Sequence, residues 1–233
     1  MNLADARTVR RVLIPVASAA FYAGIMISAL LYYADKPAVD LRRSVISNLA
    51  RPTDNPRGYL AAGAGIALCG LLLAPAALWF FRVLRCLHAG VAAVGLGLFG
   101  GGLAGAVFIG VMSPFEDAYS DVHIYVAYAT FLLMAAGTLV WMAMATRASR
   151  SGRLLAAFIV QAGVALFVLY LTVGMVFPFG PDFFDDRNLL HSATVCEWAL
   201  CAGNVVYLFI LGAAVERIEK ISANTPDARA RSR

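Results

Sequence analysis

Six apolar runs, each about as long as a bilayer is thick, leave this chain few ways to fold. They extend roughly from Val12 to Tyr33, Tyr59 to Phe81, His88 to Met112, Val122 to Thr146, Leu154 to Pro178 and Leu189 to Ala214. About 20 mainly apolar residues wound as a helix cross the hydrocarbon layer, and the helix pairs every backbone N–H and C=O within itself. A closed β-barrel does the same, but its strands show segments of about 10 residues in which apolar and polar side chains alternate. The runs here are continuous, so the expected fold is all-α: a six-helix transmembrane bundle. It forms one domain over residues 1–221, followed by a disordered basic cytoplasmic tail over 222–233. The first run is longer than a secretory signal core of about 7–15 apolar residues and reads as a retained span. Composition agrees, since 61% of the chain is hydrophobic and 14% charged, against about 25% charged in soluble domains.

The charges orient the bundle, because short loops rich in Lys and Arg stay on the cytoplasmic side. Thirteen of the 19 basic residues flank alternate ends of the runs: Arg7, Arg10 and Arg11, then Arg82 and Arg85, then Arg147, Arg150 and Arg153, then the segment after Glu216. Both termini are therefore expected in the cytoplasm. The opposite gaps carry more acids than bases, among them Asp54, Glu116, Asp117, Asp121, Asp182 and Asp185. The net charge of +5 follows from topology, and no nucleic-acid partner is expected. The expected partners are membrane lipids and a membrane protein. In the longest gap, Val39 to Ala50 has the spacing of a short amphipathic helix lying on the outer surface, stopped by Pro52 and Pro56.

The third run is rich in glycine, and Gly97, Gly101 and Gly105 recur every four residues. That spacing puts a smooth stripe on one helix face where a neighbouring backbone can approach, so these three are the expected packing residues of a central helix. Gly95, Gly97 and Gly100 also match a dinucleotide-binding pattern, but the motif needs a preceding strand and an aqueous pocket. His88 lies at the opposite end of the bundle from His123 and His191, which argues against a haem bridging the helices. No cofactor and no metal site are assigned.

Polar groups inside a membrane are costly and mark candidate sites. Glu197 lies eight residues into the last run, about 12 Å below its end, with Thr194, Cys201 and Asn204 on the same face. This seam can anchor helices or contact a lipid, a proton or a headgroup. A second candidate is catalytic: His123 and His191, with Asp121, begin spans from the outer side, where imidazole and carboxylate could act as base and acid.

Three segments carry a family resemblance. The stretch His191 to Tyr207, HSATVCEWALCAGNVVY, resembles the last span of the Frag/DRAM/Sfk family of six-span membrane proteins. SVISNLARPTDNPRGY is similar to the family's first outer loop, and SDVHIYVAYATF to its His-bearing fourth span. The resemblance implies that Ser47, His123, Glu197 and Asn204 occupy the family's polar positions, with Ser47, Glu197 and Asn204 binding a lipid or partner. It also implies a non-enzymatic regulator or organiser of membrane lipids or of a membrane partner. The alternative is a membrane-embedded lipid hydrolase or acyltransferase using His123, His191 and Asp121.

Two experiments follow. Single cysteines placed near Asp54, Asp117 and Asp185 should react with an impermeant reagent on intact cells, and ones near Arg85 and Arg150 should not; the inverse pattern overturns the orientation. Glu197→Gln keeps the shape and hydrogen-bonding capacity of Glu but cannot ionise. If Glu197 is only an anchor, Gln should match wild type in thermal stability and lipid binding, while Glu197→Leu should lose about 0.6–2 kcal/mol. Equality of Leu with wild type in both readouts removes Glu197 from the seam.

Overall fold

The computed structural model describes residues 5–35, 49–118, 120–176 and 193–223. Among these the chain is helical apart from short connections, and it contains no strand. Six long helices make up the bundle: α1 Ile14–Asp35, α2 Tyr59–Leu84, α3 Ala89–Met112, α4 Ser120–Ser149, α5 Gly152–Val176 and α6 Ala193–Ala223. Among the described residues five helical segments are long and apolar enough to cross a membrane, and α5 contains a shorter apolar stretch, Gly152–Phe167. The outward faces are apolar as well: Leu30, Leu71, Val111, Ile159 and Leu166 are each more than half exposed. A surface so continuously apolar is solvated by lipid tails and not by water. This is an integral membrane protein of several spans.

Local chemistry sets the helix ends. Asp5 opens the chain's first helical turn, Ala6–Thr8, with its carboxylate accepting from the N–H groups of Arg7 at 2.8 Å and Thr8 at 3.0 Å. Donation from the Thr8 hydroxyl, with these N–H bonds, holds the Asp5 carboxyl below its usual range. A wider π-turn, Val9–Leu13, then passes directly into α1. Between α4 and α5 the chain reverses at Arg150, whose φ of 48° lies in the left-handed region. Its N–H still donates to Thr146 O at 2.9 Å, which is a left-handed C-terminal cap built without glycine. Pro75 sits inside α2 without ending it, as neighbouring helices permit in a membrane. At its far end, α6 continues to Ala223, so Ser222 and Ala223 belong to the helix and not to the tail expected from 222 onwards. The expected amphipathic stretch before Leu49 lies outside the described residues.

Helix packing is decided by glycine, though not by the row the sequence suggested. α3 lies between α2 and α4, while α4 also touches α5 and α6. The buried face of α3 carries Ala92, Gly95, Phe99, Gly102, Leu103, Ala106 and Ile109. Gly97 and Gly101 are exposed on the opposite face, with Val94 and Val111. A Cβ on Gly97 would meet nothing within 4 Å, and one on Gly101 would make an ordinary 3.5 Å contact with Leu133. Of the expected three, Gly105 alone is crowded, against the Thr130 hydroxyl. The close approaches occur elsewhere. A Cβ on Gly102 would collide with Met134 and lie 2.9 Å from Thr130 O, and one on Gly137 would sit 2.6 Å from Phe99 N. Gly24 of α1 faces Gly65 of α2, and Gly63 of α2 faces Gly110 of α3, in the same manner. α3 is thus a flanking helix with one glycine face in the bundle and one in the lipid.

Gly102→Leu should therefore reduce folded yield sharply, since overpacking costs about 1–3 kcal/mol even where side chains alone must yield. Gly97→Leu should leave yield and melting temperature near wild type in detergent. Equal loss at both positions would mean that the exposed stripe of α3 is covered by protein.

Candidate functional site

The site is a cavity that lies between two sets of polar contacts near the ends of the bundle. At one end, the described part of the first long loop folds back onto the helices. Leu49, Ala50 and Asn55 are buried there, each about 1% exposed. Asn55 Nδ2 donates to Ser28 Oγ at 2.8 Å, to Ser28 O at 3.1 Å and to Leu49 O at 3.2 Å. Its Oδ1 accepts from Gly58 N at 3.0 Å, and the Ser28 hydroxyl donates to Leu49 O at 2.8 Å. Ser113, just past α3, donates through its hydroxyl to Ala50 O. Gly58 is required here because a Cβ would lie 2.5 Å from Asn55 Nδ2 and 2.8 Å from Ser28 O. One amide thus satisfies a helix carbonyl, a helix hydroxyl and two loop groups, which fixes the loop as a plug on the bundle mouth.

At the other end, two acids of α6 tie that helix to its neighbours. Glu216 pairs with Arg10 and, at 2.7 Å, with Lys220. Glu219 accepts from the buried Trp79 indole N–H at 3.2 Å and pairs with Arg82 at 3.4 Å. Next to this lies the aromatic core, where Phe80 and Phe99 meet Trp141 at ring distances of 5.4 and 5.3 Å. The Trp141 indole donates to Ala92 O at 3.2 Å, and Gly95 leaves room for its ring.

Between plug and ionic end lies a cavity of about 90 Å³. Phe21 of α1, Ala50 of the plug, Cys69 of α2, Ala106 of α3, Thr130 of α4, and Cys201 and Asn204 of α6 help to line it. Its walls are almost wholly apolar. Thr130 is 4% exposed, and its hydroxyl has no hydrogen-bond partner among the described residues. A water needs about 2–4 polar partners to settle in such a space, which one hydroxyl and one amide barely provide. The geometry suits an apolar guest with one hydrogen-bonding group.

The sequence candidates fall as follows. Asn204 lines the cavity. Glu197 lies in α6 one turn before Cys201, and Asp121 and His123 lie in the first turn of α4, but the side chains of all three are outside the described residues. Ser47 and His191 are outside them entirely. The sequence reading missed Asn55, which lies in a loop between two prolines, and Thr130, which lies within an apolar run. It also missed Glu216 and Glu219, which were placed beyond the last span. Among the described residues no group of three His, Cys, Asp or Glu converges on a metal position.

Neither a curated protein nor a solved structure matches this chain. Residues 15–214, which run from α1 into α6, match the model of one family, described as a protein of unknown function, DUF998. A match over most of the bundle, cavity-lining residues included, shows that the chain belongs to the DUF998 family.

Proposed function

We propose that the protein is a non-enzymatic organiser of membrane lipids that takes the apolar end of a lipid into the cavity between its plug and its ionic end. The observation that carries this reading is the cavity itself, with apolar walls and a single unpartnered Thr130 hydroxyl. Hydrocarbon is the solvent around such a bundle, so a void there fills with a lipid tail at little desolvation cost, while a polar guest would have to shed water. Among the described residues the lining includes Cys69, Cys201, Thr130 and Asn204 and holds no carboxylate or imidazole.

The seam of Glu197 and Asn204 on α6, with Ser47 in the outer loop, supplies the polar contacts for the lipid or for a membrane partner. The resemblance of the last span, the first loop and the fourth span to the Frag/DRAM/Sfk family supports the same class of role. The excess of Lys and Arg at the ionic end supports an orientation with both termini in the cytoplasm and the plug on the far side.

Lipid copurified from native membrane and identified by mass spectrometry tests the reading. Wild type should retain a defined lipid species near one per chain. Ala106→Leu, which fills the cavity from α3, should retain much less and should melt no lower than wild type after delipidation, because protein atoms then occupy the void. The same retained lipid in both proteins would remove the cavity as the binding site.

A further inference from the structure

A second and larger recess opens at the ionic end, between the start of α3 and the end of α4. It is a cleft of about 560 Å³, with Val91, Val140, Ala143 and Met144 along its walls and His88 and Arg147 at its rim. Both rim residues are exposed. His88 is the N-cap of α3, and its Nδ1 accepts the Val91 N–H at 3.3 Å. An imidazole that accepts through Nδ1 carries its proton on Nε2, so the free edge of His88 is a donor. Arg147 stands in the last turn of α4 and has no ion-pair or hydrogen-bond partner among the described residues. Among the described residues the acids at this end are engaged elsewhere, Asp5 with Thr8, Glu216 with Arg10 and Lys220, and Glu219 with Arg82. An arginine in the last helical turn also complements the helix dipole, but that role does not account for an apolar groove leading away from it.

We infer that this cleft binds an anionic phospholipid of the adjoining leaflet, its phosphate held by Arg147 and the His88 Nε2–H and one acyl chain laid along Val91, Val140, Ala143 and Met144. The charge complementarity is specific to a phosphate at the membrane boundary. A guanidinium and an N–H donor match its oxygens, and basic recesses between spans on the cytoplasmic side bind anionic headgroups. The apolar floor selects a lipid over a free anion. This site is distinct from the cavity below the plug and shares no lining residue with it.

The test is a binding titration of the purified full chain in detergent with short-chain phosphatidylglycerol, short-chain phosphatidylcholine and inorganic phosphate. Phosphatidylglycerol should bind more tightly than phosphatidylcholine, and inorganic phosphate should not displace it. Arg147→Gln should weaken phosphatidylglycerol by about fivefold or more, whereas Arg153→Gln, an equal loss of charge, should change it by less than about twofold. Ala143→Trp leaves every charge in place and blocks the groove, and it should weaken phosphatidylglycerol as Arg147→Gln does. Equal losses in Arg147→Gln and Arg153→Gln would mean diffuse attraction and overturn the site. Displacement by inorganic phosphate would make it a free-anion site, and unchanged binding in Ala143→Trp would remove the acyl groove; either result overturns the proposal.

Discussion

Hydrocarbon offers no hydrogen-bond partner, and every feature of this bundle follows from that constraint. Each backbone group must pair within its own helix, which makes six long helices the economical solution for six long apolar runs. Once formed, the helices gain nothing by hiding apolar side chains from an equally apolar solvent. What remains is close van der Waals contact, which glycine permits by removing the Cβ between two backbones. Gly24 with Gly65, Gly63 with Gly110, Gly102 with Met134, and Gly137 with Phe99 are among the places where α1 to α4 approach closely in this way.

The same constraint sorts the polar side chains. Those that enter the bundle must be paired, and the ones that are paired fix its two ends. Asn55 and Ser28 seat the loop plug, and Trp79, Arg82 and Arg10 receive Glu219 and Glu216 of α6. Leaving buried Asn55, Ser28 or the Trp79 indole without its partner costs about 1–3 kcal/mol, whereas the partly exposed pairs Arg10–Glu216 and Arg82–Glu219 add little. Thr130 departs from the pattern, as do Thr146, Ser149 and Gln161 among the described residues. Thr130 lines the cavity, and its hydroxyl lies against Gly105 of α3, unpaired among the described residues. In the proposed reading this hydroxyl meets the polar atom of the bound lipid.

The spans were legible in the sequence because a run of about 20 apolar residues has few other uses. α2 and α3 begin within a residue of where hydropathy places them. The packing face of α3 was not legible, since a spacing of four between glycines serves lipid-facing and protein-facing stripes equally well. Burial separates them: Gly95 and Gly102 share their face with Phe99 and Ala106, and Gly97 and Gly101 share theirs with Val94 and Val111. The extent of α6 was underestimated because Glu216, Arg217, Glu219 and Lys220 end the hydropathy signal without ending the helix. Asn204 was found through its depth in an apolar run and does line the cavity. Asn55 carried no such mark, because its burial depends on a loop folding back onto α1, which no local pattern encodes.

The central claim is that the space beside Thr130 and Asn204 is a binding site for lipid and not a packing fault. An experimental structure of the chain in nanodiscs formed with its native lipids tests it most directly. The account predicts elongated density in the cavity, bounded by Ala50, Ala106 and Cys201, with a polar atom within hydrogen-bond distance of Thr130 Oγ1. A cavity closed by inward movement of the helices, with the Thr130 hydroxyl bonded to a carbonyl of its own helix, would contradict it.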